Sequence, residues 1–113
     1  MKAKKIRQNF LPDVSVQAID KETGRPMDLT GFDSAKFVMQ NSDTGETIID
    51  NEPATIVDAE NGFLSYTFKD DETSATGNYK AYFSMFDGDS PKISVPSDDN
   101  ILIEIWDDLK TDE

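Results

Sequence analysis

Apolar and polar residues alternate along most of the chain, in short runs separated by residues that favour turns. The clearest run places Tyr79, Ala81, Phe83 and Met85 on one face of an extended segment. Successive side chains of a β-strand point to opposite faces, so this run predicts a strand with one buried face. The pattern predicts strands at about residues 4–10, 14–19, 35–40, 46–49, 54–57, 63–69, 78–86, 92–95 and 101–106.

The number and spacing of these runs predict the fold class. About 7–9 short antiparallel strands with frequent turns are typical of an immunoglobulin-like β-sandwich. No apolar stretch has the period of a helix. We therefore expect an all-β protein. Its core should contain the run around Tyr79 and apolar residues of two other strands, namely Leu64, Tyr66, Phe68, Ile101, Ile103 and Ile105.

The segment from Gly77 to Ala81 is typical of a tyrosine corner, in which a tyrosine at the start of a late strand hydrogen-bonds to the preceding crossover. The alternative is that Tyr79 is an ordinary strand aromatic. Both interpretations give Tyr79 and Gly77 a structural role.

Composition narrows the possible functions. The chain contains no Cys and no His, so thiolate metal sites and the most common general base are excluded. We predict no catalytic residue, no metal and no cofactor. Paired carboxylates suit a glycosidase, but such pairs arise by chance among 23 acidic residues. Acidic turns, such as Asp87 with Asp89 or Asp98 with Asp99, leave calcium binding as an alternative to a solvating role.

Charge is unevenly distributed, although the net charge is −12. Lys2, Lys4, Lys5 and Arg7 lie within the first seven residues, and the remaining chain is strongly acidic. An acidic body repels phosphate backbones, so we expect no nucleic-acid partner. No apolar run is long enough for a signal peptide or a membrane helix, so we expect no membrane partner either.

Two groups of residues are candidates for partner binding. The basic start formed by Lys2, Lys4, Lys5 and Arg7 fits a docking arm, or alternatively a solvated first strand. Phe86 and Trp106 alternate away from the predicted core, so they are candidate contacts for protein or sugar unless the strand ends bury them.

The order of several short motifs resembles the N-terminal domain of the baseplate upper protein of tailed phages and prophages of Gram-positive bacteria. The motifs are residues 24–31, Phe37-Val38-Met39, Val57-Asp58 with Gly62 and Tyr66, Thr73 with Gly77-Asn78-Tyr79-Lys80-Ala81, and Pro96-Ser97-Asp98. The resemblance implies an immunoglobulin-like, non-enzymatic module of the virion that anchors a host-recognition protein to the tail tip. It also implies partners among other tail and baseplate proteins, and a homo-oligomer, a trimer, in the full-length protein.

On this basis we expect residues 1–113 to form one sandwich domain, the N-terminal domain of a longer chain that is synthesised in the host cytoplasm. The alternative function is a carbohydrate- or cell-surface-binding module of an adhesin or glycanase, assisted by calcium. That alternative depends on Phe86, Trp106 and the acidic loops.

Overall fold

The computed structural model describes residues 4–96 and 100–106, and these residues form eight strands and no helix. The strands are β1 (Lys4–Arg7), β2 (Asp13–Gln17), β3 (Ser34–Asn41), β4 (Thr47–Asp58), β5 (Phe63–Thr67), β6 (Gly77–Asp87), β7 (Ser90–Val95) and β8 (Ile101–Trp106). The all-β prediction is therefore confirmed. Within the described ranges no helix is long and apolar enough to cross a membrane.

The strands follow one another in a curled sheet with the order β1-β8-β6-β3-β4-β5-β2, and β7 pairs with β6. Neighbouring strands are antiparallel with one exception, since β1 runs parallel to β8. The expectation of purely antiparallel strands is wrong at this pair, because the first strand joins the edge of the last one. The immunoglobulin-like sandwich stays a prediction.

Strand β4 joins the two halves of the curled sheet. Two separate segments were predicted here, at 46–49 and 54–57, and the structure has one strand of 12 residues. Its first part pairs with β3 and its last part with β5. Shifts in the register with β3, and a positive φ of 52° at Asn51, accommodate the polar residues that interrupt the alternation.

Strands β7 and β8 lie end to end along one edge of β6. Val95 of β7 pairs with Phe83, and Ile101 of β8 pairs with Ala81 two residues earlier on β6. The other edge of β6 is paired with β3 along eight residues. Strand β6 is consequently the centre of this half of the sheet, and its inward side chains form much of the core.

The core contains all the side chains that alternation predicted for it, together with others such as Leu29, Phe37 and Ile49. Tyr79, Ala81, Phe83 and Met85 are all buried. So are the predicted core residues of the other strands, which are Leu64, Tyr66, Phe68, Ile101, Ile103 and Ile105. Each fully buried large apolar side chain contributes about 1.5–3 kcal/mol, so these residues supply much of the stability.

An aromatic cluster lies between the two halves of the sheet. Phe37 of β3 stacks on Tyr66 of β5 with ring centroids 4.5 Å apart, and Phe68 and Phe83 meet Phe37 edge to face. The Tyr66 hydroxyl donates to Glu72 Oε1 at 2.8 Å. Burial, together with this hydrogen bond, raises the pKa of Tyr66 well above its ordinary value.

Candidate docking surface

The start of β6 holds the predicted tyrosine corner residues. The Tyr79 hydroxyl donates to the carbonyl oxygen of Ala75 at 2.8 Å, and only 2% of the Tyr79 surface is exposed. Burial raises the pKa of Tyr79, and a side-chain hydrogen bond with Asn41 acts in the opposite direction. Gly77 has a φ of +146°, a conformation that residues with a Cβ rarely adopt. This arrangement ties the crossover before β6 to the core.

The basic start of the chain forms an edge strand. Ile6 of β1 points into the core and is 5% exposed, whereas Lys4, Lys5 and Arg7 are exposed. Among the described strands β1 pairs with β8 alone, so its other edge carries no strand. Lys2 lies outside the described residues. The structure therefore places three of the four predicted basic contacts on a single short strand.

Trp106 at the end of β8 lies directly beside Arg7. The two residues are in register, and the guanidinium carbon of Arg7 is 5.1 Å from the centre of the indole ring. A cation over an aromatic face is attracted by the ring quadrupole. Trp106 is half-buried and remains available at the surface next to the basic strand.

Phe86, the second aromatic candidate for partner binding, is buried. Its surface is only 9% exposed, and Lys36 Nζ lies 4.7 Å from the centre of its ring. Lys36 pairs with Ser84 and Ser34 pairs with Phe86, so the lysine is the diagonal neighbour that reaches across the ring. The apolar stem of a lysine covers such a surface while its charge stays in water. Phe86 therefore offers little area to a partner.

The structure adds two lysines that sequence reasoning did not select. Lys36 of β3 and Lys80 of β6 point to the same outward side of the sheet as Lys5 and Arg7. Residues paired across neighbouring strands point to the same side of the sheet. Lys36 pairs with Ser84, and Ser84 and Lys80 lie an even number of residues apart on β6. Lys5 pairs with Glu104, which pairs with Asn78, also an even number of residues from Lys80. We call the surface formed by Lys5, Arg7, Lys36 and Lys80 the cationic face.

Charge divides between the two halves of the curled sheet. Strands β1, β3, β6, β7 and β8 contain six basic and two acidic residues, whereas β2, β4 and β5 contain four acidic residues and no basic one. Most of the other acidic residues that the structure describes lie in turns. The cationic face is thus a local exception on an acidic protein, and its strands contain two acids, Glu104 on β8 and Asp87 at the end of β6. Alternation marks each lysine as outward, but only the strand order brings them together.

Of two grooves in the described part of the chain, the larger, about 510 Å³, lies at the start of β6 and the end of β8, between Gln8, Asn78, Glu104 and Trp106. The smaller, about 260 Å³, is mostly apolar and lies between β2 and β7. The described lining of each lacks the pair of carboxylates that a glycosidase uses.

Acidic side chains do not gather into a candidate metal site among residues 4–96 and 100–106. The predicted calcium candidates Asp87 and Asp89 lie in the exposed hairpin between β6 and β7. The other predicted pair, Asp98 with Asp99, lies outside the described residues.

Comparison with known proteins shows which family the sequence belongs to. The sequence profile of the BppU N-terminal domain, the domain of the baseplate upper protein, matches residues 13–112. The chain belongs to this family. The resemblance inferred from the sequence motifs is therefore confirmed. The BppU match begins at the first residue of β2, so β1 and its basic residues precede the matched region.

A solved structure shares the fold. The N-terminal domain of phage TP901-1 ORF48 matches with a TM-score of 0.69 and 20% sequence identity, over 92% of this chain and 84% of that one. No curated protein matches the chain. Membership of the BppU family makes this chain a structural module of a phage baseplate, located in the virion tail and associated with other tail proteins.

Proposed function

We propose that this BppU-type domain is a non-enzymatic attachment module that anchors a host-recognition protein to the tip of a phage tail. The observation that carries the proposal is the family match over residues 13–112. Two features of the molecule support it. The inward residues of β6 build a packed core, and the half-buried Lys80 on the outward side of the same strand belongs to the cationic face. A domain of this kind presents a rigid surface to a partner.

The proposal extends to the protein as a whole. We propose that residues 1–113 form an immunoglobulin-like N-terminal domain of a longer chain, and that this chain is a homotrimer in the baseplate. Synthesis in the host cytoplasm would precede its assembly into the virion. The state of the longer chain is tested by sedimentation equilibrium, where a monomeric mass would contradict the trimer.

The experiment for attachment is co-expression with the tail-tip proteins encoded in the same phage genome. We expect the domain to co-elute with one of them in size-exclusion chromatography. Circular dichroism of the domain alone is the control that it is folded. A folded domain that co-elutes with none of the tail-tip proteins would refute the proposal.

Sugar binding is the competing function, and one observation still favours it. Trp106 lines the larger groove beside the polar side chains of Asn78 and Gln8, which suits a sugar ring. Against it, Arg7 lies over the indole ring and Phe86 is covered by Lys36. A glycan array probed with the domain, with and without calcium, and with Trp106→Ala as control, separates the two functions. Binding that requires Trp106 would favour the sugar module.

A further inference from the structure

We propose that the cationic face is the surface through which the domain docks, and that the partner presents an acidic protein surface to it. This inference rests on the proposed attachment function and names the site and the chemistry of the partner. It concerns the outward side of β1, β8, β6 and β3, which are adjacent in the sheet.

Strand register holds the positive charges at fixed positions. Lys80 is the direct neighbour of Leu102 on β8, and Lys5 is the direct neighbour of Glu104 on the same strand. Lys36 lies one strand further, on β3. Neighbouring strands are about 4.8 Å apart, so the four strands place these side chains across roughly 15 Å. Along the strands Lys36 is level with Ser84 and Lys5 with Asn78, which adds a separation of roughly 20 Å at about 3.3 Å per residue. Among the described residues on the outward side of these four strands, Glu104 is the one acid beside four basic side chains.

The acidic remainder of the molecule decides which partner fits. A long polyanion such as DNA extends beyond the cationic face and meets the acidic turns and the acidic strands β2 and β4. A compact acidic patch on a protein meets the cationic face alone. Electrostatic forces between exposed charges decay over about 8 Å at physiological salt, so the local sign governs contact. Charge complementarity therefore favours an acidic protein.

Apolar side chains on the same side give the face the composition of an interface. Leu102 is 41% exposed, and Tyr82 and Trp106 are half-buried. Tyrosine and tryptophan are enriched among the residues that contribute most to protein binding, and charged residues usually surround them. Arg7 over the Trp106 ring fixes the position of the indole group at the edge of the face.

The test compares two double charge reversals with the same change in net charge. Lys5→Glu with Lys80→Glu alters the cationic face, and Lys21→Glu with Arg25→Glu alters the exposed turn after β2. The probe is the tail-tip protein that co-elutes with the domain, and affinity is measured by calorimetry. We expect reversal on the face to weaken binding about tenfold or more, and reversal in the turn to change it less than about twofold.

The remaining outcomes separate this inference from the proposed function. If no tail-tip protein binds, both fail together. If one binds and the two double variants lose affinity equally, or neither does, attachment stands and the cationic face is refuted as its site. Tighter binding to duplex DNA than to the tail protein would refute the acidic-protein partner. The acidic-protein partner would also be refuted if sedimentation showed a concentration-dependent dimer that the Lys5→Glu, Lys80→Glu double variant does not form. The cationic face would then bind a second copy of the domain.

Discussion

Removing one oxygen atom tests how the crossover before β6 is held. Tyr79→Phe keeps the ring in the core and deletes the hydroxyl that donates to Ala75 O at 2.8 Å. A hydrogen bond of this kind contributes about 0.5–1.5 kcal/mol. Because Ala75 is exposed, water can reach its carbonyl oxygen after the change, and we expect a cost of about 1 kcal/mol.

The cost is measurable by urea and thermal unfolding. For a domain of this size, 1 kcal/mol lowers the melting midpoint by roughly 4 °C. Tyr82→Phe is the matched control, since Tyr82 lies three residues along the same strand but points outward, and we expect less than about 0.5 kcal/mol there. An unchanged midpoint for Tyr79→Phe would show that the contact does not stabilise the domain, and an equal loss in Tyr82→Phe would refute the role of the buried hydroxyl.

Three further predictions concern the loops and the buried hydroxyl of β5. Gly62→Ala should cost more than about 3 kcal/mol, because a Cβ would lie 2.8 Å from two backbone oxygens. At Gly77 a Cβ would have its nearest neighbours 3.7 Å away, so Gly77→Ala should cost only about 1 kcal/mol, because of the positive φ. Equal urea midpoints for the two alanine variants would contradict this difference. Thr73→Val should cost about 1 kcal/mol in the same assay, because the 1% exposed Thr73 donates to Phe10 O at 2.9 Å, and no loss would show that this bond is neutral. The free energy of unfolding should fall above about pH 10, because Tyr66 deprotonates near its ordinary pKa in the unfolded chain but keeps its proton in the folded protein. The Tyr66→Phe variant should show a smaller fall. An identical fall in both proteins would contradict the role of Tyr66.

Alternation was sufficient to predict the central part of the core, because burial on one face leaves a period of two in the sequence. Phe83 and Met85 of β6 illustrate this, as both were predicted inward and both are fully buried. Thr73 shows the limit of the approach. It is buried in a loop with no periodic neighbours, and its partner, the carbonyl of Phe10, is 63 residues away in the chain. A contact between two loops leaves no local pattern.

The outward side was harder to predict, since its properties depend on which strands are neighbours. For Phe86 the sequence left two alternatives open, an exposed contact or burial at the strand end. The structure shows it 9% exposed, with Lys36 of another strand over its ring. The parallel pairing of β1 with β8 likewise brings Arg7 to Trp106 from opposite ends of the sequence. The basic start and the tryptophan were both selected from sequence, and only the fold shows that they form one surface.

On strand β6, residues that stabilise the domain alternate with residues of the proposed docking surface. Tyr79 points inward and holds the crossover, while the next residue, Lys80, points outward onto the cationic face. Substitution of Lys80 leaves the core contacts of its neighbours intact, so binding and stability should respond to different variants. The same division holds on β1, where Ile6 is buried between the exposed Lys5 and Arg7. Strand β1 precedes the region that the family profile matches. The cationic face therefore joins Lys36 and Lys80, which lie within the matched region, to Lys5 and Arg7, which precede it.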